Sequence, residues 1–222
     1  MPGEQSTPYY YPNTQQAATL WYHDHALGIT RLNVYMGLAG FYILRDSVEN
    51  GLGLPAGQFE VGLAIQDRSF NADGTLKYPG MWDEHYFGDF MLVNGKVWPF
   101  LNVAQGKYRF RALNGCNSRT LRLALSNGAP IVQIGSDGGL LAAPVARSEV
   151  LLQPGERADV IIDFAGYAPG TQIVLTNSAP APFPGEPGVG VIPNVMRFNV
   201  VAGAGFTGPI PSVLRPVTAL QP

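Results

Sequence analysis

The chain has 222 residues, 46% of them hydrophobic and 14% charged, a composition that excludes intrinsic disorder and suits one large or two small domains. A formal net charge of -2, with Lys and Arg scattered, gives no electrostatic basis for a nucleic-acid or anionic-lipid partner. The single cysteine, Cys116, rules out an intrachain disulfide and a Cys-rich metal site, and no apolar run is long enough to span a bilayer.

Residues 1–18 are polar and carry the cluster Tyr9-Tyr10-Tyr11-Pro12, which predicts a loop leading into a strand. The first five residues lack the basic region and apolar core of a signal peptide, so the compartment is not readable here. Aromatic content predicts a strand from Thr19 through His25, and a second is predicted from Gly37 through Arg45. A short helical turn fits between them, within residues 26–36. Gly51, Gly53, Pro55 and Gly57 predict a linker over residues 46–57.

A second block runs from Gln58 to about Ala202. Its apolar runs are short: residues 59–65, 108–113, 121–125, 131–134, 150–152, 160–164, 173–175 and 196–201. Turn signals separate them, among them Asn94-Gly95, Asn127-Gly128, Asp137-Gly138-Gly139 and Gln153-Pro154-Gly155-Glu156. Many short strands at regular spacing predict an all-β fold, a Greek-key sandwich or barrel. No strand–helix alternation suggests a parallel sheet. Residues 203–222 hold four prolines without alternation and are expected to be a connector.

The strongest chemical feature is Trp21-Tyr22-His23-Asp24-His25. On a strand, residues i and i+2 share a face, which puts the two histidine Cα atoms about 6–7 Å apart. Both imidazoles then reach one metal, or each reaches one of two neighbouring metals. Neutral imidazole suits copper, zinc, iron and nickel, and affinity among divalent ions peaks at copper. Asp24 points the other way, which suits a supporting group with Arg31 as its partner. Two ligands make an incomplete site.

The run from Leu20 to Asp46 resembles the second histidine motif of multicopper oxidases, in which an H-x-H strand precedes a G-L-x-G pattern and an apolar strand. Here these are His23-Asp24-His25 and Gly37-Leu38-Ala39-Gly40-Phe41-Tyr42-Ile43. The form Trp21 to Ala26, followed by Thr30-Arg31-Leu32-Asn33-Val34-Tyr35, is similar to the bacterial spore-coat laccase and bilirubin-oxidase branch. Four later stretches resemble signatures of the second domain: residues 92–99, 107–115, 133–141 and 152–160.

The resemblance implies a cupredoxin-like fold. Residues 1–46 would end a first cupredoxin domain, 47–57 link it to a second at 58–202, and 203–222 lead towards a third. It implies copper as cofactor, with His23 and His25 each holding one copper of a binuclear pair. It also implies a parent enzyme that oxidises phenolic or related aromatic substrates one electron at a time and reduces O2 to water. The family's other ligand motifs are not found among the three histidines, so this chain is expected to be a piece of such an oxidase with a partial copper site. It would have no catalytic residue of its own, no turnover alone, and self-association as a consequence of uncovered docking surfaces. The alternative is a stand-alone cupredoxin-like binding or assembly module without redox activity. Completion of the cluster between copies is a third reading, weakened by the missing motifs.

Other candidates read as structural. Cys116 has no neighbouring histidine and is expected to be a small packing residue. His85, among Asp83, Glu84 and Asp89, is expected in a polar loop. Ser136 lacks the G-x-S-x-G order of a nucleophile, and Gly185 to Gly190 lacks the strand–helix setting of a phosphate loop. Trp21, Trp82 and Trp98 are expected to pack.

Overall fold

The computed structural model describes residues 8–81 and 83–216. The expectations for residues 1–7, for Trp82 and for residues 217–222 lie outside the described residues.

In chain order the elements are β1 (Ala18–His23), α1 (Thr30–Tyr35), β2 (Ala39–Leu44), α2 (Ser47–Gly51), a 3-10 turn (Gly57–Phe59), β3 (Glu60–Phe70), β4 (Leu76–Lys77), β5 (Phe90–Val93), β6 (Lys96–Val97) and β7 (Phe100–Gln105). They continue with β8 (Lys107–Asn114), β9 (Leu121–Leu125), β10 (Ile131–Ser136), β11 (Gly139–Arg147), β12 (Val150–Leu152), β13 (Arg157–Asp163), β14 (Gln172–Asn177) and β15 (Asn194–Ala204). The architecture is all-β. One sheet runs β11-β10-β13-β8-β3-β5-β6, with β4 against β3, and the facing sheet runs β12-β9-β14-β15-β7.

Most pairings are antiparallel, but β3 pairs parallel with β8 and β7 parallel with β15. Sequence patterning missed both. Strands β3 and β8 alternate like antiparallel strands, and only the long Greek-key connections bring them side by side. Patterning also missed β11, because its burial is confined to its first residues and the rest is largely exposed.

Alternation along β8 decides the core. Tyr108, Phe110 and Ala112 face the second sheet, where Phe110 meets Phe198 at 5.2 Å between ring centroids. Full burial of each such phenylalanine contributes roughly 1.5–3 kcal/mol. The opposite face of β8 carries Arg109 and Arg111. It is not solvated: both are buried beneath the segment that contains β1 and α2. The stretch expected to be a linker thus holds α2 and a 3-10 turn, and its Leu54 is buried with Ile134, Leu140, Ile161 and Leu214. Leu214 arrives from the Pro-rich end of the chain, where its N–H and that of Arg215 donate to Ala142 O and Leu141 O.

Strands β1 and β2 form a separate two-stranded sheet, in register from Ala18↔Leu44 to His23↔Ala39. A lone hairpin is marginal in water. This one is held by the outer face of the large sheet.

Candidate metal centre

The predicted strand through His25 stops two residues early, at His23. One more backbone bond forms, Asp24 N–H to Leu38 O at 3.1 Å. Then Asp24 Oδ2 accepts from Ala26 N–H at 3.1 Å and from Asn33 Nδ2 at 2.8 Å. An aspartate that bonds a backbone N–H two residues on makes a turn and competes with strand pairing. The chain leaves the sheet here and enters α1 four residues after Ala26, whose carbonyl accepts from Thr30 Oγ1 at 2.9 Å.

Asp24 therefore supports the turn, but its partner is Asn33 rather than Arg31. Arg31 lies instead over the Tyr78 ring at 5.5 Å, and its carbonyl accepts from Asn117 Nδ2 at 2.9 Å. The Asn33 hydrogen bond, with that of Ala26, holds the Asp24 carboxyl below the usual carboxylate range against a small opposing effect of desolvation.

His23 and His25 come together although they do not share a strand. Their ring centroids are 5.7 Å apart with planes inclined by 30°. His23 Nδ1 stands 2.7 Å from Asp24 O. A carbonyl only accepts, so Nδ1 carries the hydrogen, and in the neutral ring Nε2 keeps the lone pair. That is the tautomer a metal-binding imidazole needs, with the second nitrogen held by a backbone acceptor. His23 is half-buried against Trp21, whose ring lies 4.5 Å away, and His25 is exposed. A groove of about 670 Å³ runs beside His23 and is lined by Tyr11, Asn13, Leu20, Trp21, Tyr22 and Tyr42.

Among the described residues no cluster of three or more His, Cys, Asp or Glu is arranged to hold a metal. The two imidazoles fit a copper ion in chemistry and tautomer, and they supply only part of a coordination shell.

The other candidates lie elsewhere. His85 is exposed, 5.8 Å from the Phe87 ring, while nearby Asp89 accepts from Ser69 Oγ at 2.7 Å. Ser136 pairs with Gly139 across a tight turn. Gly190 O accepts from Arg119 Nη1 at 2.7 Å, so that glycine-rich loop packs on the sandwich. Cys116 is buried in the core, and burial, reinforced by the Asp67 charge, pushes its thiol well above the ordinary cysteine range.

Sequence reasoning missed Asn33, Thr19, Arg111 and Arg157. Asn33 was visible within the Thr30–Tyr35 motif but without a role. Thr19 lies in β1 itself, and Arg111 and Arg157 reach it only through the tertiary fold.

A family model described as multicopper oxidase matches residues 1–49. The chain is 47% identical over 223 residues to a laccase of Bacillus stratosphericus, covering 94% of this chain and 43% of that protein. It is 46% identical over 215 residues to a laccase of Bacillus subtilis, covering 89% and 41%. Among solved structures, a variant of the McoA multicopper oxidase of Aquifex aeolicus superposes with a TM-score of 0.85 at 36% identity, over 93% of this chain and 47% of that one. The chain thus spans less than half the length of the relatives it matches.

Proposed function

That this chain belongs to the multicopper oxidase family is the premise from which we propose that His23 and His25 are copper ligands of a laccase-like oxidase. Copper is the cofactor the family implies. In this reading residues 58–202 are a second cupredoxin domain, residues 1–46 the end of a first, and 47–57 and 203–222 connectors. The remaining copper ligands come from protein outside this chain. The complete enzyme oxidises phenolic or related aromatic substrates one electron at a time and reduces O2 to water.

The observation that carries the reading is the His23 Nδ1–H bond to the Asp24 carbonyl, with the His25 ring 5.7 Å away. Bound copper supplies the electron transfer to oxygen. What this chain supplies is placement. Asp24 and Asn33 form the turn that brings His25 beside His23. The Asp24 carbonyl keeps the proton on Nδ1 and the lone pair on Nε2. The sandwich carries the hairpin as a rigid support.

Copper retained per chain after reconstitution and desalting tests this directly. Wild type is expected to retain copper that His23→Ala/His25→Ala loses. Equal, near-zero copper in both would remove the pair from the ligand set.

A further inference from the structure

The strand that ends in His23 is gripped at one point by an arginine outside the motif. Arg157 opens β13 and is largely buried, with its side chain 14% exposed. Its Nε donates to Thr19 O of β1 at 2.9 Å, four residues before His23. Its Nη1 donates to Gly155 O at 2.9 Å and its Nη2 to Asp137 O at 3.2 Å. Asp137 Oδ1 lies 3.1 Å from Nη1 and also accepts the Arg157 backbone N–H at 2.7 Å. One planar guanidinium therefore ties three segments together: β1, the β10–β11 turn and the β12–β13 turn.

Each of those turns meets β1 at a glycine. Gly139 has φ +110°, and a Cβ there would stand 2.4 Å from Ala17 O. Gly155 has φ +85°, and a Cβ there would stand 3.3 Å from Trp21 Cζ2. Trp21 in turn lies against the His23 ring. The end of the sandwich is thus in contact with the imidazole through Gly155 and Trp21, and with the strand backbone through Arg157.

We propose that Arg157 is a positioning residue for the His23–His25 pair: it seats β1 on the two glycine turns and thereby sets where the imidazoles stand. The proposal rests on the copper-ligand reading for its purpose. Lysine cannot replace it, because an ammonium is a point donor that cannot reach three carbonyls in one plane. An arginine after Pro154-Gly155-Glu156 is then what joins the histidine strand to two turns of the sandwich.

The chain has only three histidines, so each imidazole gives its own nitrogen signals, and His85 serves as the reference. Arg157→Lys and Gly155→Ala are compared with wild type by imidazole ¹⁵N NMR without metal, and by Cu²⁺ titration against glycine as competitor. Both variants are expected to move the His23 signals and leave those of His85 in place. Both should also weaken Cu²⁺ binding about 10- to 100-fold, the usual effect of losing a group that orients a ligand. Unchanged His23 signals in Arg157→Lys overturn the proposal, as does movement of His23 and His85 together, which reports general loosening. Should Arg157→Lys fail to fold, Arg157→Gln carries the same comparison. Should wild type bind no more Cu²⁺ than His23→Ala/His25→Ala, the ligand reading fails, and the metal-free His23 signals still decide whether Arg157 positions the ring.

Discussion

Glu60 shows how charge is handled where β1 and α2 cover the large sheet. Its Oε1 accepts from Arg111 Nε at 2.6 Å and its Oε2 from Arg45 Nη2 at 2.7 Å. Arg109 and Arg111 also meet Glu49 Oε1, at 2.7 and 2.5 Å. Desolvation pulls the Glu60 carboxyl upward, but the hydrogen bonds from Arg45 and Arg111 and the charges of Arg111 and Arg109 outweigh it, so it sits below its ordinary 4.5. A carboxylate depressed in the folded state adds stability that is fully present above its unfolded pKa and is lost as pH falls through the folded one. Urea denaturation followed downward from pH 7 should show that loss begin near pH 4.5. Glu60→Gln should be less stable than wild type at pH 7, with the difference narrowing in acid. A constant difference down to pH 3 would mean that Glu60 acts by packing alone.

At the scale of elements, α2 is short and depends on its ends. Asp46 is the N-cap: Oδ1 accepts from Glu49 N–H at 2.8 Å, and Oδ2 accepts from Ala17 N–H at 2.9 Å and from Arg215. One carboxylate thereby caps a helix, holds the start of β1 and receives the returning chain end. Asp46→Ala should cost about 0.5–2 kcal/mol for the lost cap, read from urea midpoints. It should also speed hydrogen exchange at Ala17 and Ala18 relative to β8 and β13, and uniform exchange would show that the cap does not anchor the hairpin. The turn at Asp24 uses the same chemistry, a carboxylate accepting a nearby backbone N–H. Both aspartates stand at a junction between a strand and a helix.

For the molecule as a whole, the hairpin region exposes a group of large apolar side chains. Tyr22, Leu27, Met36 and Leu38 lie on or beside it with more than half of their surface exposed. Apolar groups gathered in one region favour association, and the reading of this chain as part of a longer oxidase gives that surface a purpose. Sedimentation equilibrium is expected to show concentration-dependent self-association that weakens in Leu27→Ser, since Leu27 is fully exposed. A monomer at every concentration would remove that expectation without touching the copper reading.

The amino-acid order by itself determined the all-β class, because alternation and turn residues act locally. It also singled out His23 and His25 as the candidate pair, because the H-x-H pattern is local and lies within five residues of Trp21. The strands at residues 121–125 and 150–152 were legible to the residue, since each is an apolar run bounded by turn signals. Strand propensity alone did not show that His25 leaves the strand, because Asp24 accepts both from Ala26 N–H two residues on and from Asn33 nine residues away. Only the tertiary structure decided the fate of Arg109 and Arg111. Their alternation with Tyr108 and Phe110 marks a face open to water, and the cover of that face comes from Thr19 and Glu49, 62 to 92 residues distant from Arg111. Local pattern reports which face a side chain takes, and contacts between remote segments determine whether that face meets water.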